Sequence, residues 1–97
     1  MAWVYILLCA DGTFYVGSTS DLEARLWQHQ NGLGAKYTQV RRPVKLAFSE
    51  EFARVEDAFA LEKRIQNWSH AKRLALIEGR WDDLKALSKK KFKRGAD

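Results

Sequence analysis

The 97 residues contain a single cysteine, Cys9, which rules out an intrachain disulfide and a zinc cluster of the usual Cys/His kind. A lone thiol suits a reducing compartment, and the cytoplasm is the expected location. Pro43 is the only proline and there are six glycines, too few for a flexible linker or a low-complexity segment. No apolar run approaches the roughly 20 residues that a membrane-spanning helix needs, so a soluble chain with no membrane association is expected. Internal repeats are absent as well. What remains is 46% hydrophobic and 12% aromatic residues, enough to bury one modest core. One domain over residues 1–88 with a basic tail over 89–97 is the organisation expected.

The charge is unevenly spread. Residues 1–84 hold eleven Lys and Arg against eleven Asp and Glu, whereas residues 85–97 hold six basic and one acidic residue. The whole net charge of +5 therefore sits in the tail. Lys89, Lys90, Lys91, Lys93 and Arg94 form a run that attracts polyanions, nucleic acid foremost, although such runs also serve as solubilising ends.

The apolar start, Trp3 to Cys9, imitates a secretion signal but lacks a basic leader and runs into Asp11-Gly12, so it reads as a buried strand. Thr13 to Ser18 reads as its hairpin partner. A two-residue Asp-Gly loop would point Tyr5 and Tyr15 to opposite faces. A three-residue loop, with Gly12 in the left-handed position, pairs Tyr5 near Gly17 and Tyr15 near Leu7 and puts both rings on one face. The second register gives Gly12 a conformational role and opens space at Gly17 beside a phenol, and it is preferred.

Ser20-Asp21-Leu22-Glu23 has capping-box spacing and opens a helix to about Asn31, ended by Gly32. Leu22 and Leu26 face the core, and Arg25 and His29, four apart, line the rim of that stripe. Trp27 points away from it. Residues 32–43 form a glycine-bearing loop in which Lys36, Thr38, Arg41 and Arg42 offer hydroxyl and cationic groups to phosphate. A third strand over 44–52 follows, then a helix over 55–65, a helix capped by Ser69 and stopped by Gly79, and a last short helix over 81–88. The order ββαβααα implies an α+β fold, a small, mostly antiparallel three-stranded sheet covered by helices.

Glu62 is out of place in this pattern. At about 100° per residue, Val55, Ala58, Phe59, Leu61 and Ile65 gather into one apolar arc, and Glu62 falls inside it. A lone buried carboxylate needs a cation, a metal ion or several donors. The alternatives are a structural ion pair and a functional charge.

In order and spacing, Val4-Tyr5, Tyr15-Val16-Gly17, Arg25, His29 and Glu62 resemble the GIY-YIG nuclease family over roughly residues 3–77. The run from Arg25 to Asn31, with Gly34-Ala35 and the stretch from Thr38 to Pro43, is most similar to the small stand-alone bacterial members. It is also similar to the nuclease domain of the eukaryotic endonuclease that cuts branched DNA, whose additional zinc-binding domain has no counterpart here. Trp3 stands where the first motif has glycine, and Val16 replaces isoleucine. Ser18 occupies the place of a lysine that the excision-repair nuclease subunit carries near its second tyrosine. Asn67 is too close to Glu62 for the downstream asparagine of some members and is left unassigned.

The resemblance implies that Glu62 binds one divalent metal, Mg²⁺ or Mn²⁺, with water and phosphate completing its shell. It implies that Arg25 stabilises transition-state charge, and that Tyr5, or in second place Tyr15, orients or deprotonates the attacking water. His29 assists by bonding to that tyrosine or to phosphate. A metal-dependent endonuclease acting on branched, flapped or partly single-stranded DNA, in repair or recombination, is the function expected, with DNA favoured over RNA and any protein partner or oligomeric state left open. The alternatives are a non-catalytic nucleic-acid-binding module that keeps the fold, and an adaptor that docks through Trp81 and the tail.

Overall fold

The computed structural model describes residues 1–80. The short helix expected over 81–88, and with it Lys89, Lys90, Lys91, Lys93 and Arg94, lies outside the described residues. Two compact units follow one another along the chain, Met1–Asn67 and one beginning at Trp68. Among the described residues no helix is long and apolar enough to cross a membrane.

The near-continuous apolar run at the start has the composition of a strand covered on both faces. It forms β1, Ala2–Leu8, at the centre of a three-stranded sheet of order β2-β1-β3, between β2, Phe14–Thr19, and β3, Lys45–Phe52. Both pairings are antiparallel. Val4, Tyr5, Ile6 and Leu7 are fully buried, and each such side chain contributes roughly 1.5–3 kcal/mol by leaving water. The β1–β3 register shifts between Ile6 and Leu7, a bulge that takes up one extra residue of β3.

The hairpin has the three-residue loop: Cys9 N donates to Thr13 O and Gly12 N to Cys9 O, and Gly12 has φ +84°. Tyr5 therefore faces Gly17, and Leu7 faces Tyr15. With alternating side chains, Tyr5 and Leu7 share a face, where they pack with Cys9, Val44, Tyr15 and, from helix α1, Leu22 and Leu26. Helix α1 spans Leu22–Gln30. Its N-cap is Asp21, whose carboxylate accepts from Ala24 N, in place of the Ser20 that the capping-box spacing suggested. Asp21 lies one residue nearer the first turn and offers a charged acceptor to its free N–H groups.

The loop after α1 contains a one-turn helix that periodicity could not reveal, α2, Lys36–Gln39. Helix α3, Val55–Gln66, packs against all three strands. Ser18 alternates with Gly17 along β2, so its hydrogen bond to Glu62 puts α3 at the face opposite α1. In the second unit, Ser69 caps helix α4, His70–Ile77, by accepting from Lys72 N, and Gly79 follows with φ +70°. The ββαβαα order thus holds through α4 with α2 added.

Candidate functional site

Tyr5 comes from the central strand and lies across the backbone of the edge strand at Gly17. A methyl group at position 17 would sit 2.5 Å from Tyr5 Oη and 2.7 Å from Cζ, so the glycine is what lets the phenol reach the sheet edge. Tyr15 packs beside it, with ring centroids 6.5 Å apart. Tyr37, which the sequence did not single out, stacks on Tyr15 at 6.0 Å, and Arg41 lies over the Tyr37 ring at 3.8 Å.

His29 is fully buried rather than at the rim of α1, because Gly34 and α2 fold over it. Its Nε2 lies 2.9 Å from Tyr5 Oη and its Nδ1 lies 2.8 Å from Thr38 Oγ1. Thr38 Oγ1 in turn donates to the Ala35 carbonyl at 2.9 Å. A Cβ at Gly34 would overlap the imidazole, so that glycine is also a matter of space. Burial, reinforced by the Arg25 charge, lowers the His29 pKa to about 4. The ring is therefore neutral at pH 7.

Arg25 is held by Gln28, whose Oε1 accepts from Nη1 at 2.8 Å, a bond between helix neighbours three apart. Burial raises the Tyr5 pKa, and the nearby Tyr15 and Glu62 add to that, while Arg25 opposes it by hydrogen bonding and by charge. Tyr5 is thus a protonated phenol between a cation and a neutral imidazole.

Glu62 occupies the core-facing stripe, but that stripe is Ala58, Leu61, Glu62 and Ile65. Val55 and Phe59 are 57% and 51% exposed, which corrects the arc drawn from periodicity, since α3 rotates them past the sheet. The carboxylate is half-buried. It accepts from Ser18 Oγ at 2.5 Å and from Gln66 Nε2 at 2.8 Å. Both partners are neutral, and none of the ion pairs among the described residues involves Glu62, so these two hydrogen bonds steer the carboxylate without adding a countercharge. Gln66 was not singled out in the sequence, although its place four residues on from Glu62 was a usable signal. Ser18 gave no such signal, because only the packing of α3 on β2 brings it there. No group of three or more His, Cys, Asp or Glu suited to a metal occurs among the described residues. A single half-buried hard carboxylate suits Mg²⁺, which keeps most of its water and needs only one or two protein ligands.

The loop expected to contact phosphate is largely occupied with itself. Arg41 pairs with Asp11 through Nε at 2.9 Å and donates to Tyr37 O at 3.0 Å. The Thr13 hydrogen bonds and then this ion pair hold the Asp11 carboxyl below the usual range. Arg42 donates to Gln39 O and Gln30 O. Lys36 is exposed. Thr38 departs from the expectation outright: it is fully buried and its hydroxyl is spent on His29 and Ala35, so phosphate has no access to it.

Comparison with known proteins bears on the family and the fold. The GIY-YIG catalytic domain matches residues 1–75. The chain is 46% identical over 76 residues to a UPF0213 protein of Bacillus pumilus, covering 78% of each chain. It is 44% identical over 75 residues to a UPF0213 protein of Staphylococcus saprophyticus, covering 77% of this chain and 92% of that one. The solution structure of a UPF0213 protein from Bacillus halodurans superposes with TM-score 0.54 at 38% identity, over 80% of this chain and 84% of that one. That of a protein from E. faecalis gives 0.55 at 33%, over 79% and 82%.

Proposed function

This chain belongs to the GIY-YIG family of nuclease domains, which act on nucleic acid, and from that premise we propose that it is a divalent-metal-dependent endonuclease for branched, flapped or partly single-stranded DNA. What carries the reading is the contact between Tyr5 Oη and a neutral, buried His29 Nε2, with Arg25 acting on the phenol and Glu62 beyond the edge strand. A phenol whose pKa is raised by burial is a poor base alone. Paired with an empty imidazole nitrogen it becomes a relay. The attacking water passes a proton to Tyr5 Oη as the Tyr5 proton moves to His29 Nε2. The hydroxide oxygen bonds to phosphorus, the bond to the leaving oxygen breaks, and that oxygen takes a proton from solvent. The imidazolium later returns its proton through Tyr5 to solvent. Arg25 stabilises the charge gathered on the non-bridging oxygens.

Glu62 would hold the Mg²⁺ or Mn²⁺ ion, which supplies positive charge to the scissile phosphate and the leaving group. Ser18 and Gln66 orient the carboxylate toward it. Lys36 and the basic residues of the tail would add affinity without reading sequence, which favours recognition of shape. Repair or recombination in the cytoplasm is the setting that such a substrate suggests.

The test is cleavage of labelled single-strand, flap, splayed-arm and junction DNA, and of RNA versions, by the wild type and Glu62→Gln with Mg²⁺, Mn²⁺ or EDTA. Metal-dependent cutting that is lost in Glu62→Gln, with folding and binding retained, is the expected result. Tight binding with no cutting under any condition would leave the non-catalytic binding module in its place.

A further inference from the structure

We propose that Thr38 is a positioning residue that fixes His29 in the Nδ1–H tautomer, leaving Nε2 bare toward the Tyr5 hydroxyl. The inference deepens the relay described above and rests on that reading for its catalytic meaning. It follows from counting protons along one buried chain of contacts.

The Ala35 carbonyl can only accept, so the 2.9 Å contact from Thr38 Oγ1 uses the single hydroxyl proton. Thr38 then presents lone pairs to His29 Nδ1 at 2.8 Å, and a bond there requires the proton to be on Nδ1. With the imidazole neutral, Nε2 carries none. At 2.9 Å from Nε2, Tyr5 Oη must be the donor.

The other end of the chain fits the same assignment. Arg25 is a donor only, and its hydrogen bond lowers the Tyr5 pKa against burial, as a bond to the phenol oxygen does. A guanidinium that acts on the phenol oxygen is compatible with a Tyr5 proton directed at Nε2. The opposite tautomer would set a Thr38 lone pair against the Ala35 carbonyl. Charged and titratable groups around the ring come from every side: Tyr5 on β1, Tyr15 on β2 with its ring 5.2 Å away, and Arg25 on α1. Of the groups around the ring, Thr38 is the one hydrogen-bonded to Nδ1.

The segment from Gly34 to Thr38 is, on this account, a clamp for an imidazole. Gly34 supplies room, Ala35 the terminal acceptor and Thr38 the direction. It orients the residue that receives the proton and touches no substrate itself.

The experiment is long-range ¹H–¹⁵N NMR of the histidine side chains. His29 and His70 are the only two histidines, so His29→Gln assigns the spectrum. The wild type should show His29 protonated at Nδ1. Thr38→Val, which keeps the shape and removes the acceptor, should move the proton to Nε2 and lower kcat by roughly 10- to 100-fold with little change in KM. Thr38→Ser should restore both. Protonation at Nε2 in the wild type, or an unmoved tautomer in Thr38→Val, would overturn the inference. If Thr38→Val does not fold, the wild-type spectrum and the Thr38→Ser variant still decide it. The spectrum reports the tautomer whether or not the protein cuts nucleic acid, so a failed cleavage assay with an Nδ1–H histidine would count against the nuclease reading alone.

Discussion

Replacing Gly17 with alanine is the most discriminating perturbation of the site. Gly17 does not have a positive φ, so its backbone conformation would accept any residue, and alanine in a strand should gain roughly 0.5–1 kcal/mol over glycine. The added methyl, however, would meet Tyr5 Oη at 2.5 Å and Cζ at 2.7 Å. The phenol must retreat by about 1 Å to reach ordinary contact distance. It has nowhere to go, because Tyr5 is fully buried, His29 stands at its hydroxyl, and Gly34 lies against His29. Overpacking of this kind costs about 1–3 kcal/mol, and losing the Tyr5–His29 bond adds about 1 kcal/mol. The net expectation is a loss of about 2 kcal/mol after the intrinsic gain is set against these costs. Urea unfolding should show a lower midpoint at unchanged slope, and Gly17→Ala should cut poorly. In a Tyr5→Leu background the penalty should shrink toward zero, as a double-mutant cycle would reveal. Stability equal to or above the wild type in Gly17→Ala would refute the account of how Tyr5 is seated.

Two further expectations follow from the same geometry. Unfolded, His29 takes up a proton below its ordinary value of 6.5, but folded only below about 4, so the unfolded state binds more protons in that window. Stability should therefore fall as pH drops from 6.5 to 4, by about 3 kcal/mol if His29 acts alone; urea midpoints that decline as steeply in His29→Gln would show another group responsible. Asp21→Ala should cost about 1 kcal/mol by uncapping α1, whereas Ser20→Ala should stay within about 0.5 kcal/mol, and the reverse ranking by thermal unfolding would restore Ser20 as the cap.

The local elements were legible because each has a local cause. The run of β-branched and aromatic residues fixed β1, Gly12 and the three-residue loop fixed the hairpin register, and Gly32 and Gly79 marked helix ends. That register already placed Tyr5 opposite Gly17 and Tyr15 opposite Leu7. Helix α2 was not legible, since a single turn shows no period. The candidate residues Tyr5, Tyr15, Arg25, His29 and Glu62 were also found in the sequence, through motif spacing and through one carboxylate out of pattern.

Residue type alone misassigned Thr38 and did not reveal the internal partners of Arg41 and Arg42. Thr38, Arg41 and Arg42 have the chemistry of phosphate contacts, yet Thr38 is buried against His29, Arg41 binds Asp11 and Tyr37, and Arg42 binds backbone carbonyls. A hydroxyl or guanidinium bonds to whichever acceptor the fold brings within reach, whether a carbonyl three or four residues back or Asp11, thirty residues away. Glu62 was identified by its position on α3, but its partner Ser18 depends on how α3 crosses β2. The sequence by itself determined the strands and favoured the hairpin register now seen, because those follow from neighbours a few residues away. Only the tertiary structure decided which nitrogen of His29 faces Tyr5 and what steers Glu62, because ring and carboxylate orientation depend on atoms that folding alone brings together.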